Sequence, residues 1–255
     1  MSLKAVSVGM VMSNLVKRII SAAIIAPIAG GALYLGGYYF LGLILVITIL
    51  SSLELDNMRK DGFKLLYLTL LPLVIGYLNT QLGIQIFVIS MLMLFLLIKY
   101  IDLKIECLSF GAIYIFLPML SAIYLREQPQ GLQILVFIAA CVVANDIFAY
   151  FIGKVIGKTK LSKISPNKTW EGLIGGVIAS AITGYLLTGQ GVYILYASAI
   201  AILALAGDLL ESAIKRHFNV KDSGNIIPGH GGVLDRIDGF MIVLPAVAVL
   251  YFLSS

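Results

Sequence analysis

The sequence predicts an all-α polytopic integral membrane protein of about nine transmembrane helices, with the N-terminus cytoplasmic and the C-terminus outside. Three observations predict it. Of 255 residues, 60% are hydrophobic and only 12% charged, where soluble domains carry about 25% charged residues; mean hydropathy is +1.01. Apolar runs of helix-spanning length recur along the whole chain, and a bilayer core needs about 20 such residues per helix. Basic residues fall almost entirely on one side once the runs are counted.

The runs are Ile19–Leu35, Tyr38–Leu55, Leu65–Leu78, Leu82–Ile98, Leu108–Leu125, Leu132–Ile152, Leu173–Leu187, Val192–Leu210 and Ile237–Leu253. The first follows Lys17 and Arg18, as a signal peptide's core does. Its apolar stretch exceeds the usual h-region and eight runs follow it, so it reads as a retained helix. The third is short and contains Pro72; without it every later loop would change sides. The outer loops are minimal. Two inner loops, Gly153–Trp170 and Lys215–Arg236, are long, and long loops in compact domains are usually functional. Residues 1–14 are weakly patterned and receive no assignment. The chain divides into residues 1–130, with about five spans, and residues 131–255, with about four spans and both long loops.

On this count 17 of the 18 basic residues share the side of the N-terminus, and only Arg126 lies opposite. The positive-inside rule puts that side in the cytoplasm, which in a bacterial cell means the inner (plasma) membrane with the large loops facing the cytoplasm. The net charge of +5 then reflects topology and anionic headgroups, not nucleic acid. Cys107 and Cys141 sit in apolar runs without metal or disulfide spacing. They read as buried thiols.

Polar residues gather where the eighth and ninth runs meet. Between Ser212 and Asp238 stand Lys215, Arg216, His217, Lys221, Asp222, His230, Asp235, Arg236 and Asp238. Such a cluster at the mouth of apolar helices marks a functional site by default. Asp208, Glu211, Ser212 and Lys215 are spaced i, i+3, i+4, i+7 and form one stripe. A snorkelling Glu211–Lys215 pair explains two of them. Asp208 lies a turn deeper and needs an ion pair or a metal. Asp235 and Asp238 open the last run, where one carboxylate would suffice to complement the helix dipole.

Asp208 and Asp235 end and begin consecutive spans, so they share a membrane depth. Two carboxylates from facing helices, with other positions left to water and phosphate, is how Mg²⁺ is usually held. No zinc-like spacing accompanies them. Pro228-Gly229-His230-Gly231-Gly232 can bring backbone N–H groups to phosphate oxygens, although reentrant turns use glycine too. His230 is equally a phosphate donor or a turn residue, and His217 reads as solvated.

The earlier loop, Asn145 to Gly172, holds Asp146 inside a span, where it needs a partner, and then five lysines. Ser165 or Thr169 can cap the next helix, with Glu171 in its first turn. Lys168 and that helix N-terminus can together receive a triphosphate. Trp170 is placed for interfacial anchoring. There is no Walker sequence and no G-x-S-x-G, so P-loop and hydrolase readings have no support.

Ser212-x-x-Lys215-Arg216, Lys221-Asp222-x-Gly224 and Pro228-x-His230-Gly231-Gly232-x-x-Asp235-Arg236-x-Asp238 resemble the signature of the CTP:phosphatidate cytidylyltransferases, or CDP-diacylglycerol synthases. Ser165-Pro166-x-Lys168-Thr169-x-Glu171-Gly172, with Asp146 before it, resembles the same family. The resemblance implies a membrane enzyme, a homodimer, that joins CTP to phosphatidic acid and yields CDP-diacylglycerol and pyrophosphate. It implies Mg²⁺ and a monovalent cation such as K⁺. Asp208 and Asp235 would be the metal pair, acting with Lys215 and Arg236. Lys168, Lys215, Arg216, Lys221 and Arg236 would neutralise phosphates. Asp146, Ser165, Thr169, Glu171, Asp222, His230, Gly231, Gly232 and Asp238 would complete the substrate site.

The chemistry agrees. Phosphatidate brings its own nucleophile, a phosphate oxygen, so the protein has to position two polyanions and neutralise charge. A lipid-alcohol kinase would instead release CDP. A transporter usually shows inverted repeats and helices interrupted near the midplane, whereas these polar residues gather at one face.

Overall fold

The computed structural model describes residues 3–59, 69, 73, 106–229 and 231–254. Its helices are α1 (Leu3–Leu35), α2 (Gly37–Arg59), α3 (Glu106–Arg126), α4 (Gly131–Ile156), α5 (Trp170–Thr188), α6 (Val192–His217), α7 (Leu234–Ile237) and α8 (Phe240–Ser254). Among the described residues, five segments are long and apolar enough to cross a membrane: Val16–Leu35, Gly37–Arg59, Gly131–Ile156, Trp170–Thr188 and Val192–His217. Ile113–Arg126 and Phe240–Ser254 are shorter apolar helices. The expected spans Leu65–Leu78 and Leu82–Ile98 lie outside the described residues.

The helices overrun their apolar runs. α4 continues past Ile152 to Ile156, and α6 past Leu210 to His217. Backbone hydrogen bonding does not require apolar side chains, so hydropathy marks the bilayer and not the helix end. The ninth run departs further from expectation. It is broken into the single turn α7, a turn at Asp238–Gly239, and α8 from Phe240.

Small residues set the packing. α5 buries Gly172, Gly175, Gly176, Ala179, Ser180 and Gly184, and it packs extensively on α4 and α6. A Cβ on Gly184 would lie 2.6 Å from Cβ of Ala197 and 2.8 Å from the carbonyl oxygen of Tyr193. In lipid there is little hydrophobic drive between helices, so close backbone approach carries the association. α8 packs on α3 and α6, and α2 on α3. Phe116, Ile138, Val142, Leu234 and Val243 lie in the core they share.

The outward face is apolar, with Ile24, Ile28, Phe148, Phe151, Leu186 and Leu195 exposed, as a lipid-facing surface requires. Some hydroxyls within the helices bond one turn back, while Ser180 donates across to the Ala197 carbonyl of α6 at 2.9 Å. Thr48 donates to the Ile44 carbonyl at 2.8 Å, and Ser121 to that of Leu117 at 2.7 Å. Arg126 donates to the carbonyls of Leu33 at 2.9 Å and Tyr34 at 3.0 Å, so this basic residue caps the end of α1. Cys141 is buried and free; the side chain of Cys107 lies outside the described residues.

Candidate active site

The last turns of α6 carry the polar stripe. Lys215 donates to Oδ1 of Asp235 at 2.7 Å and pairs with Glu211. Glu211 is 1% exposed. Asp208 pairs with Lys168 from the α4–α5 loop and accepts from the Ser212 hydroxyl at 3.4 Å. The residue before it, Gly207, has no room for a side chain. A Cβ there would fall on the carbonyl oxygen of Asp238 and 3.5 Å from Cα of Gly239. The turn between α7 and α8 therefore rests directly on the α6 backbone.

The α4–α5 loop is braced by its own backbone. Trp170 N–H donates to the Thr159 carbonyl at 3.0 Å, and Leu161 N–H to that of Lys168 at 2.8 Å. Thr169, not Ser165, caps α5, accepting from Gly172 N–H at 3.1 Å. Glu171 accepts from Thr159 N–H at 3.2 Å. The brace delivers Lys168 to Asp208, and it occupies the Trp170 and Gly172 N–H groups at the start of α5, where the sequence offered a helix N-terminus to a triphosphate.

The α6–α7 loop is clamped between carboxylates. Asp235 accepts from Gly232 N–H at 2.9 Å and Ser223 N–H at 3.2 Å. Glu54, on α2, accepts from Val233 N–H at 2.8 Å, Leu234 N–H at 3.0 Å and the Ser223 hydroxyl at 3.1 Å. Gly231 N–H donates to Ile227 at 3.2 Å. Gly229 and Gly231 have φ of 77° and 87°, which glycine adopts without strain. At the tip, Arg18 donates to the Gly229 carbonyl at 2.7 Å and Ser21 to that of Pro228 at 3.2 Å. In this structure the N–H groups of Gly231 and Gly232 close the turn and do not point at a ligand. His230 lies outside the described residues.

These parts enclose a cavity of about 380 Å³ lined by Asp146, Lys168, Asp208, Asp235, Arg236 and Asp238, with Asn145, Tyr150, Ser165, Asn167 and Thr169 among the remaining walls. Small-molecule sites span roughly 300–1,000 Å³. Asp146 accepts from Asn145 at 3.2 Å. Other expected site residues stand elsewhere. Lys215 is enclosed between Glu211 and Asp235. Arg216 is exposed and donates to the Val220 carbonyl at 2.9 Å. Lys221 and Asp222 are exposed on the loop, and Glu171, Gly231 and Gly232 do not line the cavity.

Burial pushes the Asp235 carboxyl up, but the Lys215 ammonium and the Gly232 N–H outweigh it and hold the group at about 2. Among the described residues, no three His, Cys, Asp or Glu side chains are grouped to hold a metal ion by themselves. The donor set still fits a hard cation. The acidic groups on the cavity wall offer carboxylate oxygens only, and Mg²⁺ takes one or two of these while keeping water and phosphate as its other ligands.

Sequence reasoning missed Glu54 and Asn145, which are 1% and 4% exposed. A signal existed for Glu54, because a carboxylate inside an apolar run is a site hypothesis by default. It stands near the end of its run, where a charge draws less notice than one at the centre.

A bundle of membrane-length helices that closes four carboxylates, a lysine and an arginine into one cavity at the helix ends defines a membrane protein with a charged site. The chain belongs to the cytidylyltransferase family, whose model matches residues 16–254. It is 34% identical over 270 residues to the phosphatidate cytidylyltransferase of Bacillus subtilis, covering 96% of this chain and 99% of that one. It is 36% identical over 260 residues to the phosphatidate cytidylyltransferase of Brucella melitensis, covering 96% and 94%. A third, from Staphylococcus saprophyticus, is 43% identical over 136 residues, about half of each chain at 50% and 52%.

Proposed function

We infer that the protein transfers the cytidylyl group of CTP to phosphatidic acid, forming CDP-diacylglycerol and pyrophosphate for phospholipid biosynthesis. Family membership supports the reaction. The observation that carries the site is the cavity in which Asp208 and Asp235 share walls with Lys168 and Arg236.

A phosphate oxygen of phosphatidate attacks the α-phosphorus of CTP. A new P–O bond forms, the α–β phosphoanhydride bond breaks, and pyrophosphate departs with that electron pair. The protein supplies no nucleophile; it aligns two anions and offsets their charge. Lys168, released from Asp208, binds the triphosphate, and Arg236, which lines the same cavity, adds a second positive charge. Lys215 keeps Asp235 ionised and in place. Asp208 and Asp235 would hold Mg²⁺, which when bound would neutralise phosphate charge. The monovalent cation implied by the resemblance belongs to the same proposal, with Asp146 and Asp238 as the remaining carboxylates.

Further parts of the proposal are nine spans, an N-terminus in the cytoplasm and a C-terminus outside. The active site then faces the cytoplasm at the inner membrane, where CTP is available, and the enzyme works as a homodimer. Incubation of purified protein with phosphatidate, α-labelled CTP and Mg²⁺ tests the reaction. Labelled CDP-diacylglycerol with release of pyrophosphate is expected. Release of CDP with phosphorylation of a lipid alcohol would establish the kinase alternative instead.

A further inference from the structure

We propose that Glu54 is a positioning residue for catalysis: from α2 it holds the α6–α7 turn so that Asp235, Arg236 and Asp238 face Asp208 across the cavity. The proposal rests on the cytidylyl-transfer reading above. Glu54 is 1% exposed and accepts from Val233 N–H at 2.8 Å, Leu234 N–H at 3.0 Å and Ser223 Oγ at 3.1 Å. The loop is shaped around it. A Cβ on Gly224 would lie 2.8 Å from Oε1 of Glu54, and one on Gly232 would lie 2.6 Å from Oε2.

Two short routes lead from Glu54 to Asp235. Leu234, whose N–H it holds, is the next residue in the chain. Ser223 is tied at both ends, its hydroxyl to Glu54 and its N–H to Asp235 at 3.2 Å. Asp235 is fixed in turn to Lys215 on α6 at 2.7 Å. The turn is therefore held between α2 and α6, and Glu54 is the anchor on the α2 side. An amide in its place can offer a single acceptor oxygen to three donors, and its NH₂ would face N–H groups. Displacement of a reacting constellation by ~1 Å can lower turnover ~100-fold.

A core hydrogen-bonding role alone would loosen the whole protein. A positioning role gives a specific pattern, because Lys168, the expected contact to CTP, sits on the α4–α5 loop and is braced independently of Glu54. The full chain carrying Glu54→Gln, Glu54→Asp or Ser223→Ala is assayed for kcat, KM for CTP and the Mg²⁺ concentration giving half-maximal activity. Folded yield is followed by size-exclusion chromatography.

For folded Glu54→Gln, kcat falls ~100-fold while KM for CTP stays within ~2-fold, and the Mg²⁺ requirement rises. Glu54→Asp, which restores the carboxylate, recovers part of kcat. Folded Glu54→Gln with full kcat, or with kcat and KM shifted together, overturns the proposal. If Glu54→Gln does not fold, Ser223→Ala decides. A several-fold loss of kcat at unchanged KM supports positioning, and full kcat overturns it. A wild-type protein with no cytidylyl transfer overturns both readings, whereas an active wild type beside an unaffected Glu54→Gln overturns this one alone.

Discussion

Lys215 stands between two carboxylates of different helices: its Nζ lies 2.7 Å from Oδ1 of Asp235 and pairs with Glu211 one turn back on α6. The lysine side chain is 12% exposed, Glu211 1% and Asp235 10%. This is a structural cation as much as a catalytic one, because it joins α6 to α7 beneath the cavity.

Lys215→Met leaves two carboxylates uncompensated in a buried setting. Breaking such a pair costs about 3 kcal/mol, so the midpoint of thermal unfolding in detergent falls and activity is lost. Lys215→Arg keeps the charge, but its planar fork does not fit a position built for a point charge; it is expected to fall between the two. Unchanged stability in the Met variant would show that the bridge holds nothing together.

Asp208 and Asp235 have different surroundings, and their amide variants should differ accordingly. Asp208 bonds to Lys168 and Ser212. Asp235 also secures the loop through Ser223 and Gly232. Both Asp→Asn changes abolish turnover. Asp208→Asn unfolds near the wild-type temperature, whereas Asp235→Asn unfolds earlier. Substantial residual turnover in either variant removes that residue from the metal assignment.

Gly207→Ala is a test of spacing. The added methyl group meets the backbone of Asp238, which cannot rotate away as a side chain could. Overpacking of this kind costs about 1–3 kcal/mol. It pushes the turn off α6 and separates Asp238 from Asp208. Activity should fall even in the fraction that remains folded; a fully active Gly207→Ala protein would contradict the packing described.

Much of the site was legible before any coordinates. Asp208 ends one apolar run and Asp235 opens the next, so chain connectivity led to the expectation of a shared depth, and both residues line one cavity. Lys168 was legible as a cation beside a capped helix start. The glycine turn was left open in the sequence, because its residue types are equally suited to binding phosphate and to closing around a carboxylate. Only the positions of Ser223, Asp235 and Glu54 show which use its N–H groups serve. Arg216 and Lys221 matched a motif, yet they are exposed and do not line the cavity, since a motif records residue order and not direction.

The amino-acid order alone determined that this chain is helical, membrane-embedded and equipped with acids and lysines where spans meet. Those properties follow from local composition and period, which lipid and backbone hydrogen bonding read directly. Only the tertiary structure decided that Glu54, 169 residues before Ser223 in the chain, shares a hydrogen bond with it. It also decided that Lys168 reaches Asp208 and that the last run breaks at Asp238–Gly239. Each of these depends on which helices become neighbours and how closely their small residues let them approach, and no single stretch of sequence encodes that.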